Sequence, residues 1–147
     1  MSQHNQVGKI GEDLAREYLE KNGYKILEQN YRTKYAEIDL VALGPSGPTG
    51  EAQNFLKRFF QRKNSLVFVE VRTKIGENWG SPEDTLNKQK LWKVLQNAKA
   101  YSAFKDWQGP ARIDAVCIVL SAKGGSASGG NPNYTVKRLT HHENIIA

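Results

Sequence analysis

Apolar residues recur at three- and four-residue steps from Gly8 to Asn22, where Ile10, Leu14, Ala15, Tyr18 and Leu19 make one stripe. That period predicts an amphipathic helix, closed by Asn22-Gly23 as a left-handed cap. The period then changes. Tyr24 to Tyr31 reads as a strand. Over 36–43 the residues alternate, with Ile38, Leu40 and Ala42 on one face and Glu37, Asp39 and Val41 on the other. Over 65–74, Val67, Val69 and Val71 oppose Phe68, Glu70, Arg72 and Lys74. Ser81-Pro82-Glu83-Asp84 predicts the opening of a long helix to about Phe104, with Pro near its start and acids in its first turn. Its core stripe is Leu91, Val94, Leu95, Ala98 and Tyr101. Strands over 112–120 and 134–139 follow. The order is helix, three strands, helix, two strands, which predicts a mixed α/β sheet with the long helix packed on it.

Two stretches interrupt this pattern. Gly44 to Gly50 is a turn-rich breaker, and Gly124 to Asn133 is a Gly/Ser/Asn loop. The pieces beyond each are too short to fold alone, so 147 residues predict a single domain over 1–147. Residues 44–64 read as an insertion within it. There Phe55, Leu56, Phe59 and Phe60 fall on one side at helical spacing, with Lys57, Arg58, Arg62 and Lys63 around the other. Such a segment suits stacking and phosphate contacts with nucleic acid. It equally suits a membrane surface, a dimer contact or a short helix capping the sheet edge.

Composition narrows the class. The chain is 39% hydrophobic and 24% charged, an ordinary globular balance. No apolar run is long enough for a membrane span. Residues 1–11 carry no apolar signal core, which predicts a cytoplasmic protein. A single cysteine, Cys117, excludes an internal disulfide and lies in an apolar strand, so it is expected in the core. The adjacent His141 and His142 point opposite ways on a strand and are not expected to ligate together. A formal charge of +6 favours a polyanionic partner.

The chemistry centres on acids in apolar strands. Glu37 and Asp39 sit two apart on one strand, and Glu70 interrupts the Leu66-to-Val71 run. Burying a carboxylate is costly unless it is paired or holds a metal. If the two strands are neighbours, Asp39 and Glu70 converge on one cation, and oxygen-only ligands suit Mg²⁺ or Mn²⁺. On spacing alone the simpler account is a salt bridge between Glu70 and Arg72, about 7 Å apart along a solvated face. Lys88, Lys90 and Lys93, with Gln89 and Trp92 between them, line a phosphate groove or else a solvated helix face. Tyr31-Arg32-Thr33-Lys34 leaves the same two readings open.

Gly8, Gly11-Glu12, Tyr18-Leu19, Gly23-Tyr24, Asn30-Tyr31-Arg32, Glu37-Ile38-Asp39-Leu40, Val67-Phe68-Val69-Glu70-Val71, Lys88, Lys90, Leu91 and Arg112-Ile113-Asp114 occur in an order that resembles the YraN family. Those bacterial proteins are related in fold to restriction-endonuclease-like nucleases of the PD-(D/E)XK superfamily and to archaeal Holliday-junction resolvases. The resemblance implies a restriction-endonuclease-like mixed sheet flanked by helices, and a homodimer as one assembly. It implies that Asp39 and Glu70 hold a divalent cation, with the Val71 carbonyl as a further ligand. Glu12, which by position alone is a helix-dipole partner, would complete that site. Arg72 and Lys74 would then sit at the scissile phosphate and Lys88 and Lys90 along the flanking backbone, while Arg32 and, from the insertion at 44–64, Lys57 and Arg58 are further candidates for contact with the nucleic acid.

Two positions depart from the family pattern. Ala36 replaces the usual Gly before Glu-Ile-Asp, and Arg72 stands where the family has its lysine. Arginine is effectively never deprotonated, so Arg72 cannot accept a proton, although it can hold a phosphate. Lys74, two residues on, partly substitutes. The expectation is therefore a metal-dependent endonuclease-like protein acting on DNA, with branched or damaged DNA as candidate substrates. The alternative is a non-catalytic nucleic-acid-binding module, and a third reading is a partner-binding protein.

Overall fold

In the computed structural model, which describes residues 2–45, 64–122 and 134–146, the side chain of Ser2 accepts the Asn5 N–H at 3.3 Å and caps helix α1, Gln3–Lys21. The helix thus starts upstream of the expected Gly8. Gly23 closes it in the left-handed region at φ 86°, while the Tyr24 N–H donates back to the Leu19 carbonyl at 3.0 Å. Strands β1 (Lys25–Arg32), β2 (Glu37–Pro45) and β3 (Asn64–Ile75) follow.

Ser81-Pro82-Glu83-Asp84 does not open the long helix. It forms a separate 3-10 turn, Pro82–Thr85, in which the Asp84 carboxylate accepts the Ser81 N–H at 2.9 Å. A second cap, Asn87, accepts the Lys90 N–H at 2.8 Å and starts α2, Lys88–Phe104. The acids are therefore spent on the turn, and the first turn of α2 has none. Strands β4 (Ala111–Ala122) and β5 (Tyr134–His142) complete the chain.

The five strands lie in the order β1-β2-β3-β4-β5. All pairs are antiparallel except β3 with β4, which is parallel because α2 carries the chain back across the sheet. On one face α1 packs Ala15 and Leu19 against Leu40 of β2, Val67 and Val69 of β3, and Val116 and Ile118 of β4. On the other, α2 packs Val94, Ala98 and Tyr101 against Ile38, Leu66, Phe68 and Ile113. Leu91 and Leu95 are only partly buried, and the polar Asn97 joins the core stripe instead. Cys117 is buried as expected.

The alternation expected over 36–43 breaks at Asp39. Leu40 and Ala42 face α1, whereas Ile38 belongs to the α2 side. The ladder between β2 and β3 runs from Pro45 opposite Asn64 to Leu40 opposite Val69. Beyond Leu40 the strand is free to turn. Gly44 and Pro45, read as part of a breaker, are paired strand residues. Most of the insertion at 44–64, including Lys57 and Arg58, lies outside the described residues, as does the loop over 124–133.

Helix α1 approaches the sheet closely at Gly11, where a Cβ would lie 1.7 Å from the Thr73 hydroxyl oxygen. Asp114, buried on β4, accepts from Arg112 Nε at 3.0 Å and the Asn144 N–H at 2.9 Å, and shares a hydrogen bond with His141 at 2.8 Å. It thereby ties the C-terminal segment to the sheet. Among the described residues, no helix is long and apolar enough to cross a membrane.

Candidate metal and nucleic-acid site

Where β2 leaves β3, the side chain of Asp39 takes over a ladder bond. Its Oδ2 accepts the Val71 N–H at 2.7 Å. This pins the Asp39 carboxyl beside β3 at the point where Glu70 turns to the α2 side. A cleft of about 540 Å³ opens there, lined by Glu37, Asp39, Glu70, Lys90 and Lys93. A second cleft of about 290 Å³ adjoins it, lined by Glu12, Asp39, Glu70, Val71, Arg72 and Lys74. The fold therefore brings the expected acids together from α1, β2 and β3.

Glu70 is 2% exposed and does not lie on a solvated face. The salt bridge with Arg72 does form, Nη2 to Oε1 at 3.2 Å. A second cation, Lys90 Nζ, sits 2.7 Å from the same oxygen. Lys90 thus leaves the exposed basic row assigned to it, while Lys88 stays exposed and lines neither cleft. Helix phase explains this. Lys90 precedes Val94 by one turn and shares its inward stripe.

The other expected cations divide as well. Lys74 lines the smaller cleft, but its ammonium donates to the Trp79 carbonyl at 3.1 Å rather than to an acid. Arg32 is engaged by Glu37, with Nη2 at 2.6 Å and Nε at 3.0 Å from Oε2. Arg72 keeps one buried nitrogen, Nε, without a hydrogen-bond partner.

Burial, then the charge of Glu70, push the Asp39 carboxyl up to about 8, against the pull of the Val71 N–H. Burial likewise pushes Glu70 up to about 7, and Arg72 opposes it. With two cations on Glu70, the proton retained by the pair belongs on Asp39. Glu12 is also raised, first by burial. Glu70 already has two cations, whereas Asp39 and Glu12 have no ion pair among the described residues, and these two oxygen donors are the ones that fit a hard dication.

Asn30, part of the family pattern, has a role in the site that the sequence did not assign to it. Its backbone is left-handed at φ 52°, and its amide, oriented to satisfy its neighbours, donates to both Glu12 and Glu37 at 3.1 Å. It bridges α1 to β2 across the site. The available signal was an amide in a strand interior.

A different cluster satisfies a stricter closeness. The ligand atoms of Glu83, Cys117 and His142 all lie within 4.8 Å of one another. A cation is already there. Arg138 bonds Glu83 and holds its carboxyl well below the usual range, and burial pushes the Cys117 thiol up to about 12. His141 and His142 diverge as expected, the first to Asp114 at 2.8 Å and the second to Glu83 at 3.1 Å.

Residues 11–118 match the model of the uncharacterised protein family UPF0102. A UPF0102 protein of Flavobacterium johnsoniae is 38% identical over 122 residues, covering 80% of this chain and 85% of the relative. One of Caldanaerobacter subterraneus subsp. tengcongensis is 37% identical over 118 residues, covering 78% and 80%. One of Clostridium botulinum is 30% identical over 135 residues, covering 90% and 89%.

Proposed function

The chain belongs to the uncharacterised protein family UPF0102, and for this member we propose a divalent-metal-dependent endonuclease-like function: binding DNA and hydrolysing its phosphodiesters. The observation that carries this reading is the pair Asp39 and Glu70. These two crowded carboxyls line one cleft at the parting of β2 and β3, with Lys90 and Arg72 against them.

Asp39, Glu70 and Glu12 would hold Mg²⁺ or Mn²⁺. The ion would polarise the phosphodiester and lower the pKa of a water. The chain's own residues do the rest. The Val71 N–H fixes the Asp39 carboxyl. Asn30 holds Glu12 and Glu37 in place. Arg72 and Lys90, both partly exposed, would present positive charge to a phosphate oxygen.

A second reading has its own support. Two cations already satisfy Glu70. Among the described residues, the trio that closes to within 4.8 Å is Glu83, Cys117 and His142, not Glu12, Asp39 and Glu70. A non-catalytic nucleic-acid-binding module would look like this.

Incubation of the protein with labelled duplex, junction and single-stranded DNA, with Mg²⁺ or Mn²⁺, separates the two. Metal-dependent cleavage, lost by at least about 100-fold in Asp39→Asn and Glu70→Gln, supports the hydrolase. Salt-sensitive binding without cleavage, unchanged in those variants, supports the module. No binding to any of the three DNAs removes both.

A further inference from the structure

Tyr35 and Trp92 are 76% and 61% exposed. They come from different elements yet line one groove of about 390 Å³, with Lys93, Gln96, Asn97 and Ala100. Single exposed aromatics are ordinary, as Trp79 and Phe104 are here, but two from different elements over one formed groove mark an interaction surface.

Both rings stand on well-held backbone. Tyr35 rides on the turn between β1 and β2, where the Thr33 N–H donates to the Ala36 carbonyl at 2.9 Å. Asn97, 4% exposed, clamps that turn onto α2. Its amide donates to the Ala36 carbonyl at 3.0 Å, and its oxygen accepts the Thr33 hydroxyl at 2.9 Å. Trp92, Gln96 and Ala100 stand at four-residue steps on α2 and share one face. The Lys34 ammonium lies 4.9 Å from the centre of the Tyr35 ring.

The groove continues into the acid cleft, because Tyr35 and Lys93 line both. Flat apolar rings suit the face of a nucleobase, and the lysines at the rim suit its phosphate. In a duplex that face is hidden by stacking, so only an unpaired base offers it. We propose that the groove between Tyr35 and Trp92 is a stacking subsite for an unpaired nucleobase, so that the preferred ligand is DNA with a single-stranded segment beside the acid cleft. This rests on the DNA-binding reading above and names the substrate class.

The test compares a labelled single-stranded oligothymidylate with a blunt duplex of equal length, by fluorescence anisotropy in metal-free buffer. Trp92→Ala and Tyr35→Ala are each expected to weaken single-strand binding about tenfold, with duplex affinity changed by less than about twofold. Trp92→Phe, which keeps a stacking ring, should restore most of the loss. Equal weakening of both DNAs, or no weakening of either, overturns the subsite while leaving DNA binding intact. A wild-type protein that binds neither DNA overturns the underlying reading as well. A change in sedimentation of Trp92→Ala, with DNA affinity unaltered, marks a contact between protein chains and also overturns the subsite.

Discussion

The ammonium of Lys90 lies 2.7 Å from Oε1 of Glu70, a carboxylate that is 2% exposed. Arg72 reaches the same oxygen at 3.2 Å. Without Lys90, Glu70 would rely on Arg72 alone, and a buried charge that loses a partner is destabilising. Lys90 itself is partly exposed, so the loss is screened. Lys90→Gln is expected to lower stability by about 1–2 kcal/mol at pH 8 and by less at pH 5, where Glu70 can be neutralised. Urea denaturation at both pH values measures this. The same variant should bind Mn²⁺ more tightly than wild type, because the competing cation is gone. Unchanged or weaker Mn²⁺ binding by calorimetry would place the ion away from Glu70.

Asp39 gives the protein a pH dependence of definite sign. Its ordinary value is 3.8, and burial, followed by the charge of Glu70, raises it to about 8 in the fold. A raised carboxyl holds its proton more tightly folded than unfolded. Its contribution is complete below the unfolded value and declines as pH rises through the folded one. Stability should therefore fall between about pH 4 and pH 8. Asp39→Asn keeps an acceptor for the Val71 N–H and removes the titration. That variant should show a flatter profile and exceed wild type at pH 8, by thermal unfolding in chelator-treated buffer. Mn²⁺ should raise the wild-type midpoint at pH 8 and leave the variant unmoved.

The acids of this site were legible because a strand interior is a poor place for an unpaired carboxylate, and Asp39 and Glu70 both interrupt apolar runs. The sheet was legible for the same reason, as alternation with valine marks β3 and a single apolar run marks β4. The inward turn of Lys90 was not read, although its position one turn before Val94 carries the signal. Ser81-Pro82 imitates a helix start, yet its acids close a separate turn. The phase break between Ile38 and Leu40 had no local mark, because it follows from where pairing with β3 ends. Tyr35 and Trp92 come to line one groove because Asn97 clamps the β1–β2 turn onto α2, a tertiary contact that no short-range pattern encodes.

Gly11 and Gly8 provide a paired test of how α1 is seated. Both lie in the helix interior, where alanine is favoured over glycine by about 1 kcal/mol. A Cβ at Gly8 meets nothing within 4 Å, so Gly8→Ala should stabilise by about 0.5–1 kcal/mol. A Cβ at Gly11 would collide with the Thr73 hydroxyl at 1.7 Å. Gly11→Ala should destabilise by about 1–3 kcal/mol through displacement of α1 from β3. Because Glu12 follows directly, the same shift should weaken Mn²⁺ binding, whereas Gly8→Ala should not. Denaturation midpoints and metal titrations on the two variants check both halves.

Arg72 decides how far the hydrolytic reading extends. Its guanidinium pairs with Glu70 through Nη2, while Nε is buried without a partner. The side chain is 23% exposed, and the accessible part of the guanidinium, not the buried Nε, suits an incoming phosphate oxygen, so Arg72 favours binding. It cannot shuttle a proton, because its charge is permanent at accessible pH. Lysine is the smaller cation and titrates more readily when desolvated. Under the hydrolytic reading, Arg72→Lys should raise the single-turnover cleavage rate by about tenfold or more. DNA affinity should fall at the same time, because a bidentate fork is replaced by a point charge. The two effects run in opposite directions, so general damage to the fold cannot mimic them. An Arg72→Lys protein that binds less and cleaves no faster would assign Arg72 to positioning alone and favour the non-catalytic module.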